Sequence, residues 1–119
     1  MKILYLTNHL APKDVITDYM SDLLLHGLRE AHGSDVIDYP GPWYLYKDES
    51  RKRNLDVSRL WGKGFTTKDS LDKFDEIDRV NIKKKIKNKY FDLIIYSSIR
   101  RSQLFLEEVI KYNNKFIFI

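Results

Sequence analysis

The sequence predicts an α/β fold, an open doubly wound and mainly parallel sheet of four strands with flanking helices. Three observations predict it. Short apolar runs recur at residues 3–6, 35–39, 92–96 and 115–119. Their length and continuity suit strands buried on both faces. Between them lie stretches whose apolar residues fall three and four apart, the spacing of helices with one buried side. Strands alternating with helices then imply parallel pairing through right-handed crossovers.

The elements follow in order. Ile3-Leu4-Tyr5-Leu6 is the first strand. A turn-rich loop from Thr7 to Lys13 contains Pro12, and Asp14 is an expected N-cap for the helix that follows. That helix is expected from Val15 to Ala31, with an apolar face of Ile16, Met20, Leu23, Leu24, Gly27, Leu28 and Ala31. Asp18, Asp22, Arg29 and Glu30 are expected away from this face, and Gly27 is expected to let the helix approach the sheet closely. Gly33 takes the C′ role after His32. Asp35-Val36-Ile37-Asp38-Tyr39 is the second strand, stopped by Pro40-Gly41-Pro42.

Residues 41–65 show no clear periodicity, although they hold Trp43, Tyr44, Tyr46, Trp61 and Phe65. They are expected to form a long loop or insertion, with a short helix around Val57 to Trp61. The aromatics near Arg51-Lys52-Arg53 could stack on sugars or bases, but anchoring the loop is their commoner use. Helical spacing returns from Ser70 to Tyr90, with Leu71, Phe74, Ile82, Ile86 and Tyr90 inward. Asp92 to Tyr96 is the third strand. Ser102 is expected to cap a third helix whose apolar side is Phe105, Leu106, Val109 and Ile110. Lys115 to Ile119 is the fourth strand. A buried strand as final element leaves two expectations open: the chain is the N-terminal part of a longer protein, or the strand closes a small domain covered by a second copy.

Composition narrows the function classes. The 119 residues suit a single domain, and 43% are apolar and 32% charged. There is no cysteine, which removes disulfides, thiolate metal sites and cysteine nucleophiles and fits a reducing compartment. The first apolar stretch is too short for a signal peptide, and no run approaches a membrane span, so a cytoplasmic location is expected. The net charge of +4 is concentrated in Arg51-Lys52-Arg53 and in Lys83-Lys84-Lys85, Lys87 and Lys89. With Asp72, Asp75, Glu76 and Asp78 nearby, these lysines read as a solvated helix face, and nucleic acid is not an expected partner.

In open parallel sheets, ligands bind beyond the carboxyl ends of the strands, near the switch in strand order. That rule selects Asn8 and His9 after the first strand, Asp38 at the end of the second, and Ser97, Ser98, Arg100 and Arg101 after the third. The last group has two hydroxyls and two guanidinium groups, expected just before a helix N-terminus, a combination that favours phosphate or carboxylate. The competing reading has Ser102 as a cap only and the arginines paired with Glu107 and Glu108. His9 could act as a base or bind a sugar hydroxyl, or it could pack within its loop. His9, His26 and His32 lack metal-ligand spacing, so no metal is expected.

No cofactor is expected. Asp38 stands where an acid holds ribose in dinucleotide-binding domains, but the loop from Asn8 to Lys13 contains no glycine. Backbone could not approach a pyrophosphate there in the usual way. The chain has no phosphate-binding loop of the NTPase kind; Gly62-Lys63-Gly64 is too short. It has no GxSxG elbow.

Met1 to Leu6, Asp22 to Arg29, Asp35 to Asp38 and Asp92 to Ser98 together resemble the N-terminal Rossmann-like lobe of two-domain glycosyltransferases of the GT-B type. The resemblance covers about three quarters of the chain and is architectural rather than catalytic. It implies a lobe that binds a sugar or acceptor, such as a phosphorylated small molecule, facing an interlobe cleft through His9 and the Ser97 to Arg101 loop. Catalysis would need a second lobe, which this sequence lacks. The alternative is a non-catalytic α/β module acting through self-association, such as a homodimer, or through a partner. A phosphorylated receiver domain is disfavoured, because Asn8-His9 and Ser97-Ser98 stand where its acids would be.

Overall fold

The fold is described here from a computed structural model, for residues 1–8, 18–56, 58, 71–113 and 115–119. Four strands form one sheet: β1 (Ile3–Leu6), β2 (Val36–Tyr39), β3 (Leu93–Tyr96) and β4 (Phe116–Phe118). Their order is β2-β1-β3-β4 and every pairing is parallel. The expected α/β class and parallel sheet are therefore observed. The helices are α1 (Tyr19–His32), α2 (Lys47–Lys52), α3 (Ile82–Lys87) and α4 (Leu106–Tyr112).

Side chains alternate across the pleat, so each strand feeds two cores. Ile3, Tyr5, Val36 and Ile95 pack with Leu25 of α1 on one face. Leu4, Leu6, Ile37, Ile94 and Tyr96 pack with Ile82 and Ile86 of α3 and Val109 of α4 on the other. The chain steps from β1 to β2 in one direction and from β3 to β4 in the other. The switch in strand order thus lies between the carboxyl ends of β1 and β3.

Several local expectations are corrected. α1 is described from Tyr19, and its N-cap is Asp18, whose carboxylate accepts from the Ser21 backbone N–H at 3.2 Å. The expected cap, Asp14, lies outside the described residues. The expected apolar face of α1 is largely its outer face. Met20, Leu23 and Leu24 are exposed at 66%, 47% and 38%, whereas Asp22 is buried at 4% beside Ser21 and Leu25. Gly27 faces open space, so no close approach to the sheet explains it.

The reason lies in the segment after β2. Trp43, Tyr44, Leu45 and Tyr46 are buried and complete the core beneath α1. Two of these aromatics bring phenols that need partners inside. The Tyr44 hydroxyl donates to Asp22 at 3.1 Å, and Arg29 donates to the Tyr46 hydroxyl at 3.1 Å. The polar side of α1 is turned inward to meet them.

The stretch expected to be loop from residue 41 holds a 3-10 turn at Trp43–Leu45 and then α2. The helix expected around Val57 to Trp61 falls mostly outside the described residues. Anchoring is the observed use of the aromatics at 43–46. Leu71 pairs with Tyr46 through a parallel bridge, with Lys47 N–H to Leu71 O at 2.9 Å and Leu71 N–H to Leu45 O at 2.9 Å. The helix expected from Ser70 to Tyr90 is therefore much shorter. Residues Phe74–Glu76 form a 3-10 turn, and α3 begins only at Ile82, after Asn81 at φ 55°. Its lysines at 83, 84 and 87 are exposed, as a solvated face requires.

The second and third strands begin one residue later than expected, at Val36 and Leu93. Ser102 does not cap α4. The helix starts at Leu106 after Phe105 in the left-handed region, and Ile110 is 56% exposed rather than inward. β4 is an edge strand, with Ile117 and Phe118 about half exposed, at 46% and 45%.

Candidate functional site

A cleft of about 700 Å³ opens at the carboxyl edge of the sheet, beside the switch point. The N-terminal half of α1 forms one wall with Asp18, Met20, Ser21 and Leu24. The loop after β3 forms the opposite wall with Ser97, Ser98, Arg100 and Arg101. Tyr5 of β1 and Ile119 after β4 complete it.

Each wall has a local cause. The Ser98 carbonyl accepts from the N–H groups of Arg101 and Ser102, both at 3.0 Å. This tight turn presents the two arginines at the rim, where both are exposed. The Ser97 N–H donates to Leu6 O at 2.9 Å and so extends the β1–β3 ladder into the site. Ser97 is buried at 6%, and its hydroxyl sits beside that of Tyr5 without forming a hydrogen bond of normal geometry. Burying an unpaired hydroxyl costs on the order of 1–3 kcal/mol. The Asn8 side-chain oxygen and the Ser102 hydroxyl are buried and unpaired as well.

The ionisable groups of the cleft are already partly committed. Asp18 caps α1 with one oxygen and pairs with Arg101 at 3.1 Å with the other. Among the described residues the Arg100 side chain has no ion-pair or hydrogen-bond partner. The Tyr5 hydroxyl donates to Ser21 O at 2.8 Å, and burial pushes its pKa up to about 12, so it stays a neutral donor. The local charge is therefore one positive group in excess of the Asp18–Arg101 pair.

The structure brings Ser97, Ser98, Arg100 and Arg101 together on the cleft. Asn8 lies at the carboxyl end of β1 but is not among the lining residues. His9 lies outside the described residues. Asp38 is elsewhere: it is fully buried, and its carboxylate accepts from Arg29 at 3.0 Å, Arg79 at 2.8 Å and the Tyr46 hydroxyl at 2.8 Å. The helix N-terminus expected directly after Arg101 is absent from that place, because α4 starts five residues later at Leu106. The nearby helix start is that of α1, and Asp18 occupies it.

The sequence did not point to Tyr5, Asp18, Met20, Ser21, Leu24 or Ile119 as walls of the site. Asp18 was legible as a capping residue three positions before Ser21. Met20 and Leu24 were masked by their hydrophobicity, which reads as core. Among the described residues, no group of three or more histidine, aspartate or glutamate side chains gathers as a metal site would, and no helix is long and apolar enough to cross a membrane. Compared with known protein families, curated proteins and solved structures, the chain finds no match.

Proposed function

We propose that this chain is a ligand-binding lobe of the glycosyltransferase-like kind, holding a sugar or acceptor at the carboxyl edge of its sheet. The observation that carries the reading is the cleft at the switch point, with Ser97, Ser98, Arg100 and Arg101 on one wall. Parallel α/β sheets place their ligands there. The arginines supply charge and planar donors for phosphate or carboxylate, and the unpaired Ser97 hydroxyl supplies a polar contact waiting for a partner. Chemistry on the bound molecule would be carried by groups beyond this lobe.

The test is a titration of the isotope-labelled chain with nucleoside diphosphate sugars, sugar phosphates and alkyl phosphates, followed by amide shifts. Saturable shifts centred on residues 97–101 are expected, and Arg100→Ala with Arg101→Ala should weaken binding at least tenfold. A spectrum unmoved by every probe rejects the reading. A second reading, self-association, is favoured by the half-exposed β4 at the edge of the sheet.

A further inference from the structure

The cleft carries more information than its location. A sugar site needs amides, carboxylates and hydroxyls that match a ring of hydroxyl groups. Here the body of the cleft is apolar. Met20 and Leu24 of α1 line it together with Ile119, all three exposed, at 66%, 38% and 53%. The polar groups of the α1 wall, Asp18 and Ser21, are bonded within the protein, and Ser97, Ser98 and the two arginines stand on the opposite wall.

Charge on that wall is also specific. Arg101 is neutralised by Asp18, and the Asp18 carboxylate has both oxygens engaged. Among the described residues no counter-charge meets Arg100, and the Ser97 hydroxyl forms no hydrogen bond of normal geometry. One anionic group would satisfy both. The apolar walls would cover a hydrocarbon body lying away from it.

Resting on the reading of this cleft as a ligand site, we infer that its ligand is an anionic amphiphile, a molecule with one phosphate or carboxylate head and an apolar body. The head meets Arg100 and the Ser97 hydroxyl. The body lies along Met20, Leu24 and Ile119. This ligand class also accounts for the outward apolar face at the start of α1, which the core does not use.

Calorimetric titration of the whole chain with inorganic phosphate, glucose 1-phosphate, octyl β-glucoside and a series of alkyl phosphates tests this. Affinity for the alkyl phosphates should rise about fourfold per added methylene until the cleft is filled. Arg100→Gln should erase the preference for octyl phosphate over octyl β-glucoside. Leu24→Asn should flatten the dependence on chain length. Both positions are exposed, so both variants should fold, which their melting curves will show. Competition between octyl phosphate and phosphatidic acid vesicles would identify a lipid as the source of the head group, and its absence a free amphiphile. Glucose 1-phosphate binding as tightly as octyl phosphate would overturn the amphiphile while leaving a ligand site in place. Binding to vesicles with none to octyl phosphate would overturn it too, as adsorption outside the cleft. No binding by any probe would remove both.

Discussion

Asp22 is an acid where water does not reach. It sits on the buried side of α1 with the Tyr44 hydroxyl within 3.1 and 3.3 Å of its two oxygens. Burial pushes its pKa up to about 7, against the weaker opposing effect of the Tyr44 hydrogen bond. The sign of the stability effect follows. Below the ordinary aspartate range the group is protonated in both the folded and the unfolded chain, and its contribution is complete. As pH rises from about 4 to about 7, the unfolded chain releases the proton and the folded chain holds it, so stability falls. Each pH unit in that window costs up to about 1.4 kcal/mol. Asp22→Asn should remove this slope, and urea unfolding at several pH values will read it. Equal slopes in both proteins would show that Asp22 is not the group responsible.

Asp38 is the opposite case, a carboxylate whose surroundings are built for its charge. Arg29 and Arg79 both reach it, and Phe74 lies under the Arg79 guanidinium at 3.6 Å. Gly41 completes the arrangement. Its φ is +100°, and a Cβ there would meet Arg79 Nε and Phe74 at 2.9 Å. Removing the carboxylate by Asp38→Ala leaves two arginines facing each other and should cost about 3–5 kcal/mol. A thermal melt shows this directly; a shift no larger than that of a surface variant would mean the cluster contributes nothing net. The sequence placed Asp38 at the end of its strand correctly. It could not show that residues 9 positions before and 41 after would converge on it.

At the scale of elements, the strands were legible and the helices only partly so. A strand buried on both faces writes its burial as an unbroken apolar run, and the runs at 3–6 and 93–96 need no knowledge of their neighbours. A helix face can be read only if one knows what lies beneath it. In α1 the buried neighbours are Tyr44 and Tyr46, which come from a segment with no periodicity of its own. The phenols selected Asp22 and Arg29 for the inside and left Leu23 and Leu24 outside. The candidate site at the carboxyl edge was legible in its β3 half, because loop position and residue type agree at Ser97 to Arg101. Its α1 half was hidden by the same inversion. The inversion makes a sharp forecast about two neighbouring leucines. Leu25→Ala should cost about 2–5 kcal/mol, since the side chain is fully buried. Leu23→Lys should change stability by no more than about 0.5 kcal/mol. Denaturant midpoints will compare them, and a large loss in the second variant would mean that the outer face of α1 is covered in solution.

For the whole molecule, the decisive feature is the unequal treatment of the sheet's two sides and edges. The face with Ile94 and Tyr96 is covered by α3 and α4. The opposite face is covered over β1 and β2 by α1 and residues 43–46. Towards β4 that cover is thinner, and Ile117 and Ile119 are about half exposed. β4 is also an edge. Ile94 N–H bonds to Lys115 O at 3.1 Å, and Ile119 N–H bonds to Tyr96 O at 3.1 Å. In a parallel ladder, alternate residues point to the partner strand, so the backbone groups of Phe116 and Phe118 point outward. Lys115 flanks β4, but Phe116–Phe118 itself carries no charge, proline or bulge, and such an apolar edge is a template for another strand. Two copies meeting there across a two-fold axis would pair β4 antiparallel to itself and join the two sheets. Sedimentation velocity over a wide concentration range should therefore show a mass that grows toward a dimer. Ile117→Lys puts a charge on the edge strand and leaves its backbone bonds to β3 in place. It should hold the chain monomeric with an unchanged melting temperature. A wild-type chain that stays monomeric throughout would show that β4 is shielded by its own twist and shortness.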